Sequence, residues 1–564
     1  SSMACRALRD LCALSPELSA VITEDILDAS SSKSFFEDEN NLITDNNNRK
    51  KDVPGGIVAS LVSLLNFSIK ESAKEQSSLA QVAKSCRLYV IQMVLAMALA
   101  SDAAVYTIRA TPGLVDSIVK CSSYAKYKAP ILSKLFFRKS TTMKMDRSQL
   151  INPVPGTLDG TLRMAANQVL AAIGHNIWVP KQRGQKGLRI LCLDGGGTRG
   201  IAAVTILRRI VKATGGVEVC DAFDIIAGTS TGAIISFLVA LRRESSGMAR
   251  KRYNMLIKRI FVKSPLSTPM LIFTTASYDE SHFMEVMNEI LGDNSMLGSR
   301  ANPDVPFVFA VSSKMSSTPT QVCLFRNYNY SGGELPDTFV IDPIKARAEV
   351  GLTGARDQTW SAASLVNRQL LKTQAASRHP GSFRIPQKVA LRATTAAPTV
   401  FKPVLMGGEL YCDGGMLASN PSAIAIHEAR SLFPDVPIEL VVSLGTGAFV
   451  EEKNSPRIGW DGIITQIVNS ATDAEQPHHI LEDILGQGGT ARLGRSNVSK
   501  TRYYRFNPLI GGPNDFPLDG TDPQVLEDLC KITDDYLSEE TQERKLQEIS
   551  NIIRRQRSGF LKMQ

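Results

Sequence analysis

Residues 228–232 read Gly-Thr-Ser-Thr-Gly, a G-x-S-x-G pentapeptide. The apolar run 223–227 (Phe-Asp-Ile-Ile-Ala) precedes it, and a helix-compatible run, Ala233 to Leu241, follows. Strand, sharp turn and helix form the context in which this pattern exposes a serine hydroxyl as a nucleophile. Gly228 and Gly232 let the chain turn tightly. Ser230 then sits at a helix N-terminus, whose dipole favours the negative charge that attack on a carbonyl creates. In a chain with 40 glycines the pentapeptide alone decides little.

A second glycine cluster narrows the chemistry. The apolar run Ile190 to Leu193 looks like a buried strand and leads into Asp-Gly-Gly-Gly-Thr-Arg-Gly at 194–200. The run Ile201 to Leu207 then has helical character. Backbone N–H groups of such a loop converge on an anion. The anion is either the oxyanion of an ester under attack or a pyrophosphate. Gly195, Gly197 and Gly200 also satisfy G-x-G-x-x-G, with Glu218 and Asp221 near the place of a ribose-binding acid. A third segment separates the two: 411–415 read Tyr-Cys-Asp-Gly-Gly. Asp413, set before Gly414 and Gly415, can bring a carboxylate to Ser230, and a nucleotide site has no use for that pairing.

These three motifs in this order resemble the patatin-like phospholipases. The stretches 392–398 (Arg-Ala-Thr-Thr-Ala-Ala-Pro) and 443–447 (Ser-Leu-Gly-Thr-Gly) agree with the family pattern. Phe325 to Tyr328, Asn469 to Asp473 and Tyr504 to Pro508 resemble the gamma type of calcium-independent phospholipase A2, and the likeness spans about residue 165 to 540. The resemblance implies Ser230 as nucleophile and Asp413 as general base in a Ser-Asp dyad. It implies an oxyanion hole from Gly195, Gly196 and Gly197, with the N–H groups of Gly196 and Gly197 binding the charge and Arg199 buttressing the loop. No metal and no cofactor are expected. The implied substrate is a membrane glycerophospholipid, cleaved through an acyl-enzyme to a free fatty acid and a lysophospholipid. Alternatives are a neutral-lipid lipase or transacylase using the same dyad, a silent helical-repeat scaffold, and nucleotide binding at 195–200. The implied location is intracellular, peripheral on mitochondrial, peroxisomal or endoplasmic reticulum membranes.

An ordinary Asp, with a pKa of about 3.9, is a poor base at neutral pH, so burial must raise its proton affinity. A Ser-His-Asp triad is the competing arrangement. Of six histidines (175, 282, 379, 427, 478, 479), His427 lies soon after Asp413 and so matches the α/β-hydrolase chain order Ser230, Asp413, His. It lies in a helical run behind Asn420-Pro421, which favours a structural role. His478 and His479 read as surface residues.

The elements that must position these groups suggest an α/β catalytic domain at 188–450, a three-layer α/β/α fold. Strands are expected at Ile190–Leu193, Phe223–Ala227, Phe307–Val311, Gln321–Arg326 and Leu440–Leu444. Residues 1–180 read as an all-α, armadillo- or HEAT-like region with a Ser/Asn/Asp-rich disordered loop near 30–52. Residues 451–564 read as a helical extension packing on the catalytic domain. Between about 331 and 386 the chain is longer than the family pattern, as a lid or an unstructured insertion. A length of 564 residues fits two or three domains, and 43% hydrophobic with 21% charged residues is a globular composition.

Nine cysteines without a C-x-x-C pair argue for thiols over a disulfide framework. No EF-hand loop or zinc motif is present in the sequence. The run Leu88 to Ala100 is too short to cross a bilayer and reads as a core helix. No secretory pattern opens the residues at hand, and Ser1-Ser2 before Met3 leave an upstream targeting segment open. Residues 120–147 carry eight Lys or Arg and one Asp among aromatics and methionines, which suits an anionic membrane, single-stranded nucleic acid or a solvated linker. With the lipid motifs present, membrane contact is expected there or through a basic helix at 546–560. Nucleic acid is not expected, and a homo-oligomer is left open.

Overall fold

The structure, a computed structural model, describes residue 65 and residues 78–100, 102–111, 113–125, 150–261, 278–330, 377–398, 400–449, 474–485, 501–512 and 515–554. The expected loop at 30–52, the basic stretch after residue 125 and residues 331–376 of the insertion lie outside them. The described chain divides into two compact units, one ending at His175 and the other beginning at Asn176.

The first unit holds α1 (Ser78–Ala100), α2 (Asp102–Ala110), α3 (Leu114–Cys121) and α4 (Leu158–Ala172). Val90, Ile91, Val94, Ile108, Leu114, Ile118, Leu162 and Val169 are buried in it. Fully burying each such side chain contributes about 1.5–3 kcal/mol. Buried Asn167 ties α4 to the end of α3, accepting the Ser123 N–H at 3.0 Å and donating to its hydroxyl at 2.9 Å. The four helices run from 8 to 23 residues. No described helix is long and apolar enough to cross a membrane.

The second unit is built on a nine-stranded mixed sheet. Its strands are β1 (Leu188–Leu193), β2 (Ile225–Thr229), β3 (Phe307–Lys314), β4 (Gln321–Arg326), β5 (Gly381–Ser382), β6 (Val404–Met406), β7 (Glu409–Asp413), β8 (Ile438–Leu444) and, after the short β9 (Ala448–Phe449), β10 (Arg502–Phe506). The order is β10-β8-β1-β2-β3-β4-β5, with β7 pairing β3 and β6. Strands β10, β8, β1, β2 and β3 run parallel, and β4 and β7 are antiparallel to β3. A parallel sheet is covered on both faces, so its strands read as unbroken apolar runs. Every residue of β1, β2 and β8 is buried.

Side chains alternate between two cores on opposite faces, giving the three layers. Leu191, Leu193, Ile226, Val308 and Leu440 enter one core; Ile190, Cys192, Ile225, Phe309 and Val441 enter the other. Helices α5 (Gly200–Ala213), α6 (Val219–Ala222), α7 (Thr231–Ser236), α8 (Ser246–Ile260), α9 (Glu280–Leu291) and α10 (Gln387–Thr394) supply the first core, and α7 continues into a π-helical turn at Phe237–Leu241. Past the short α11 (Gly415–Ala418), α12 (Ser422–Leu432) and α13 (Glu475–Leu485) cover the other face.

Two sequence expectations need correction. The C-terminal stretch is not only helical: β10 pairs with β8 as an edge strand of the main sheet, and β11 (Leu509–Ile510) pairs with β9. Its alternation, with Tyr504 and Phe506 on one face and Tyr503 on the other, is what a two-faced strand needs. The last helices, α14 (Pro523–Leu537) and α15 (Glu540–Arg554), pack on α5. Ile549, Ile552 and Ile553 are at most 1% exposed. That apolar face is docked in the core and is not available to a membrane. At the end of the expected insertion, β5 pairs with β4 and Phe383 is buried in the domain. Buried Glu428 on α12 binds both flanks of the 331–376 stretch, accepting from the Tyr330 and Ser377 hydroxyls as well as from Tyr328 and, twice, from Arg326.

Candidate active site

Register brings Ser230 and Asp413 together. Strand β2 ends with Thr229 opposite Val311 of β3. Strand β7 arrives antiparallel with Asp413 opposite Ser312, the next residue along β3. Two strands that flank the same point of β3 therefore deliver their last residues side by side at the carboxyl end of the parallel strands, where ligands of open α/β sheets bind. The Ser230 hydroxyl donates to Asp413 Oδ2 at 2.7 Å.

The turn at Ser230 is strained in the sense a nucleophile elbow requires. Its φ of 52° lies in the left-handed region, uncommon for a residue with a Cβ. The bend is held because Gly232 packs where a Cβ would lie 2.2 Å from the Leu193 carbonyl oxygen. Thr394, at the end of α10, fixes the Ser230 backbone: its Oγ1 accepts the Ser230 N–H at 3.0 Å and donates to the Val311 carbonyl. Gly228, Gly414 and Gly415 complete the close approaches, with Gly415 N–H donating to Asp413 Oδ1 at 2.7 Å.

Asp413 is 5% exposed. Burial pushes its pKa up from 3.8 to about 6, against the opposing hydrogen bonds from Ser230 and Gly415. The group is mostly ionised at neutral pH yet much more basic than a solvated Asp, which a proton acceptor needs. None of the six histidines hydrogen-bonds to Ser230 or Asp413. His427 lies on α12 and accepts the Arg378 N–H at 3.1 Å, while His379 packs edge-on against it.

The glycine loop faces this pair. Gly195 would have its Cβ 3.4 Å from that of Ser230. Its own N–H is donated to the Ser419 carbonyl at 3.1 Å, so it is a spacer and not a ready oxyanion donor. The N–H groups of Gly196 and Gly197 donate to no acceptor among the described residues. Arg199 bonds back to the Gly196 carbonyl at 3.3 Å and stacks over Phe449 at 4.7 Å. Its guanidinium shapes the loop, and burial lowers its pKa to about 10, still charged at neutral pH.

Distant segments that carried no assigned role in the sequence hold this loop. Thr446 Oγ1 donates to the Gly195 carbonyl at 2.8 Å, and the Thr198 N–H donates to the Leu518 carbonyl at 2.8 Å. Beneath the loop, Asp194 is wholly buried with Arg505 Nη2 2.7 Å from its carboxylate. Arg505 also bonds Glu475 and Ser443. Burial drives the Asp194 carboxyl up and Arg505 opposes it. Burial works against the Arg505 charge too, but Asp194 and Glu475 together hold it protonated. The sequence signals were charge inside apolar strands, at Asp194 and Arg505, and the family-like stretches 443–447 and 504–508, which named no partner.

A protein-family model described as patatin-like phospholipase matches residues 191–426, a span that contains Ser230, Asp413 and the loop. Calcium-independent phospholipase A2-gamma of Oryctolagus cuniculus is 30% identical over 410 residues, covering 72% of this chain and 44% of its own. Phospholipase A I of Arabidopsis thaliana is 27% identical over 402 residues, covering 65% of this chain and 28% of that one. The 85/88 kDa calcium-independent phospholipase A2 of Mus musculus is 26% identical, covering 63% and 39%. The chain spans less than half the length of these relatives. Among solved structures, human GIVD cytosolic phospholipase A2 aligns over 66% of this chain and 63% of that one, with 12% identity and a TM-score of 0.27, too distant to add to the argument. On the family match and the relatives, the chain carries a patatin-like phospholipase domain at residues 191–426.

Proposed function

We propose that the protein is a calcium-independent phospholipase A that hydrolyses fatty acyl esters of membrane glycerophospholipids. The observation that carries this reading is the 2.7 Å hydrogen bond from Ser230, on its strained turn, to buried Asp413. Ser230 Oγ attacks the acyl carbon as its proton passes to Asp413. The carbonyl oxygen gains the negative charge and takes the Gly196 and Gly197 N–H groups. As the tetrahedral centre collapses, the ester C–O bond breaks and Asp413 gives its proton to the departing lysophospholipid oxygen. Water then attacks acyl-Ser230 with Asp413 again accepting a proton. The second collapse releases the fatty acid and returns the proton to Ser230.

The relatives, calcium-independent phospholipases A2 among them, support the substrate class and the independence of calcium. The chemistry takes place at a membrane surface, and the first helical unit is read as an armadillo-like layer. The test is fatty-acid release from phosphatidylcholine vesicles in excess chelator. Wild type should release fatty acid, and folded Ser230→Ala should not. Release from triacylglycerol alone would move the reading to a neutral-lipid lipase. Activity retained by Ser230→Ala would end it.

A further inference from the structure

Helix α13 brings together three metal-binding side chains away from Ser230. His478, His479 and Glu482 each offer one ligand atom, and these atoms lie within 4.8 Å of one another. Glu482 is four residues from His478 and three from His479, and both spacings bring side chains together on a helix. His478 is held in place: its Nδ1 lies 3.1 Å from the Tyr503 hydroxyl on β10, and its Nε2 lies 3.8 Å from Glu482 Oε2. In the tautomer that donates Nδ1–H to Tyr503, the Nε2 lone pair is free to bind an ion shared with the carboxylate. Metal-ligating histidines are oriented by such a partner on the other ring nitrogen.

We propose that His478, His479 and Glu482 form a binding site for a divalent transition ion of the zinc type, with Tyr503 as the residue that orients His478. Two imidazoles and a carboxylate suit zinc and its late first-row neighbours better than calcium or magnesium, which take oxygen ligands. Ligand distances of about 2.0–2.2 Å to zinc require the three atoms to draw in slightly. Exposed His479 can rotate to allow that. Water completes the coordination. Glu475, near the start of the same helix, binds Arg505 and Asn507. A bound ion would therefore brace the helix that supports the network under the glycine loop.

The test uses the full chain, stripped with chelator and titrated with zinc against a fluorescent zinc competitor, with cobalt absorption as a second readout. The described cysteines are buried and compete little. Wild type should take up one equivalent that His478→Ala and Glu482→Gln lose. Tyr503→Phe should weaken it about 10–100-fold, the usual effect of removing an orienting partner. Zinc should raise the melting temperature of wild type and not that of the two ligand variants. Equal zinc uptake by wild type and the His478→Ala/Glu482→Gln double variant would overturn the site, as would no uptake at micromolar zinc.

Discussion

Replacing Asp413 by Asn should destroy turnover and stabilise the protein, and the second effect has a defined pH dependence. Asn keeps the shape, can still accept the Gly415 N–H, and can meet Ser230 with its amide. What it removes is a carboxylate whose pKa burial has raised from 3.8 to about 6. That rise of about 2 units corresponds to ~3 kcal/mol of stability at 1.36 kcal/mol per unit. The stability of the protonated form is fully present below pH 3.8. It falls as pH rises from there through about 6, because the unfolded chain releases this proton first. Wild type thus loses up to ~3 kcal/mol over that window, and the Asp413→Asn variant, with no proton to release, has nothing to lose. Urea denaturation of both proteins from pH 4 to pH 8 measures the difference, and subtraction cancels every other titrating group. The gap should widen toward pH 6 and then level off. The same group should give wild-type kcat/KM an acid limb with an apparent pKa near 6. A gap independent of pH, or an acid limb near 4, would refute the claim that burial tunes this carboxylate.

Other outcomes follow from the same geometry. Gly197→Ala puts a side chain at φ 56° with its Cβ 2.0 Å from the Leu518 carbonyl oxygen, so the loop must move. Single-turnover kinetics should show kcat reduced about 10²–10³-fold, as when an oxyanion donor is lost, with KM little changed. Arg505→Met leaves Asp194 buried without its cation, and breaking such a pair costs about 3–5 kcal/mol. Denaturation should find that loss greater at pH 8 than at pH 5, where Asp194 can take a proton. Glu428→Gln removes a carboxylate that Arg326 and its hydroxyl partners hold down at about 2 against burial. Its stabilisation is present above pH 4.5 and lost as pH falls toward 2, so the destabilisation of the variant should shrink in acid.

The chemistry of the site was legible because each part is local in the chain. Gly-Thr-Ser-Thr-Gly specifies its own sharp turn, and the apolar runs around it specify a strand and a helix. Each strand read from composition overlaps a strand of the sheet, Gln321–Arg326 to the residue and Phe223–Ala227 two residues early, since two-sided burial leaves an apolar signature. Thr394, Thr446 and Arg505 could not be read this way. Their partners are 164, 251 and more than 300 residues distant in sequence, and nothing in their local pattern says so. Strand β10 was missed for a related reason: Arg502 and Arg505 break the apolar run that marks an interior strand, and Arg505 is buried only because Asp194 and Glu475 accept its charge. The His478–Glu482 pairing needed a helix that Pro477 and the polar stretch around it concealed.

The central claim is that Ser230 is a nucleophile activated by Asp413. It is tested most directly by reacting the folded chain with a fluorophosphonate probe and mapping the modified peptide by mass spectrometry. The account predicts one adduct, on the peptide containing residues 228–232, absent from Ser230→Ala and formed far more slowly by Asp413→Asn. An adduct elsewhere, or labelling of Ser230 at the same rate in Asp413→Asn, would contradict it.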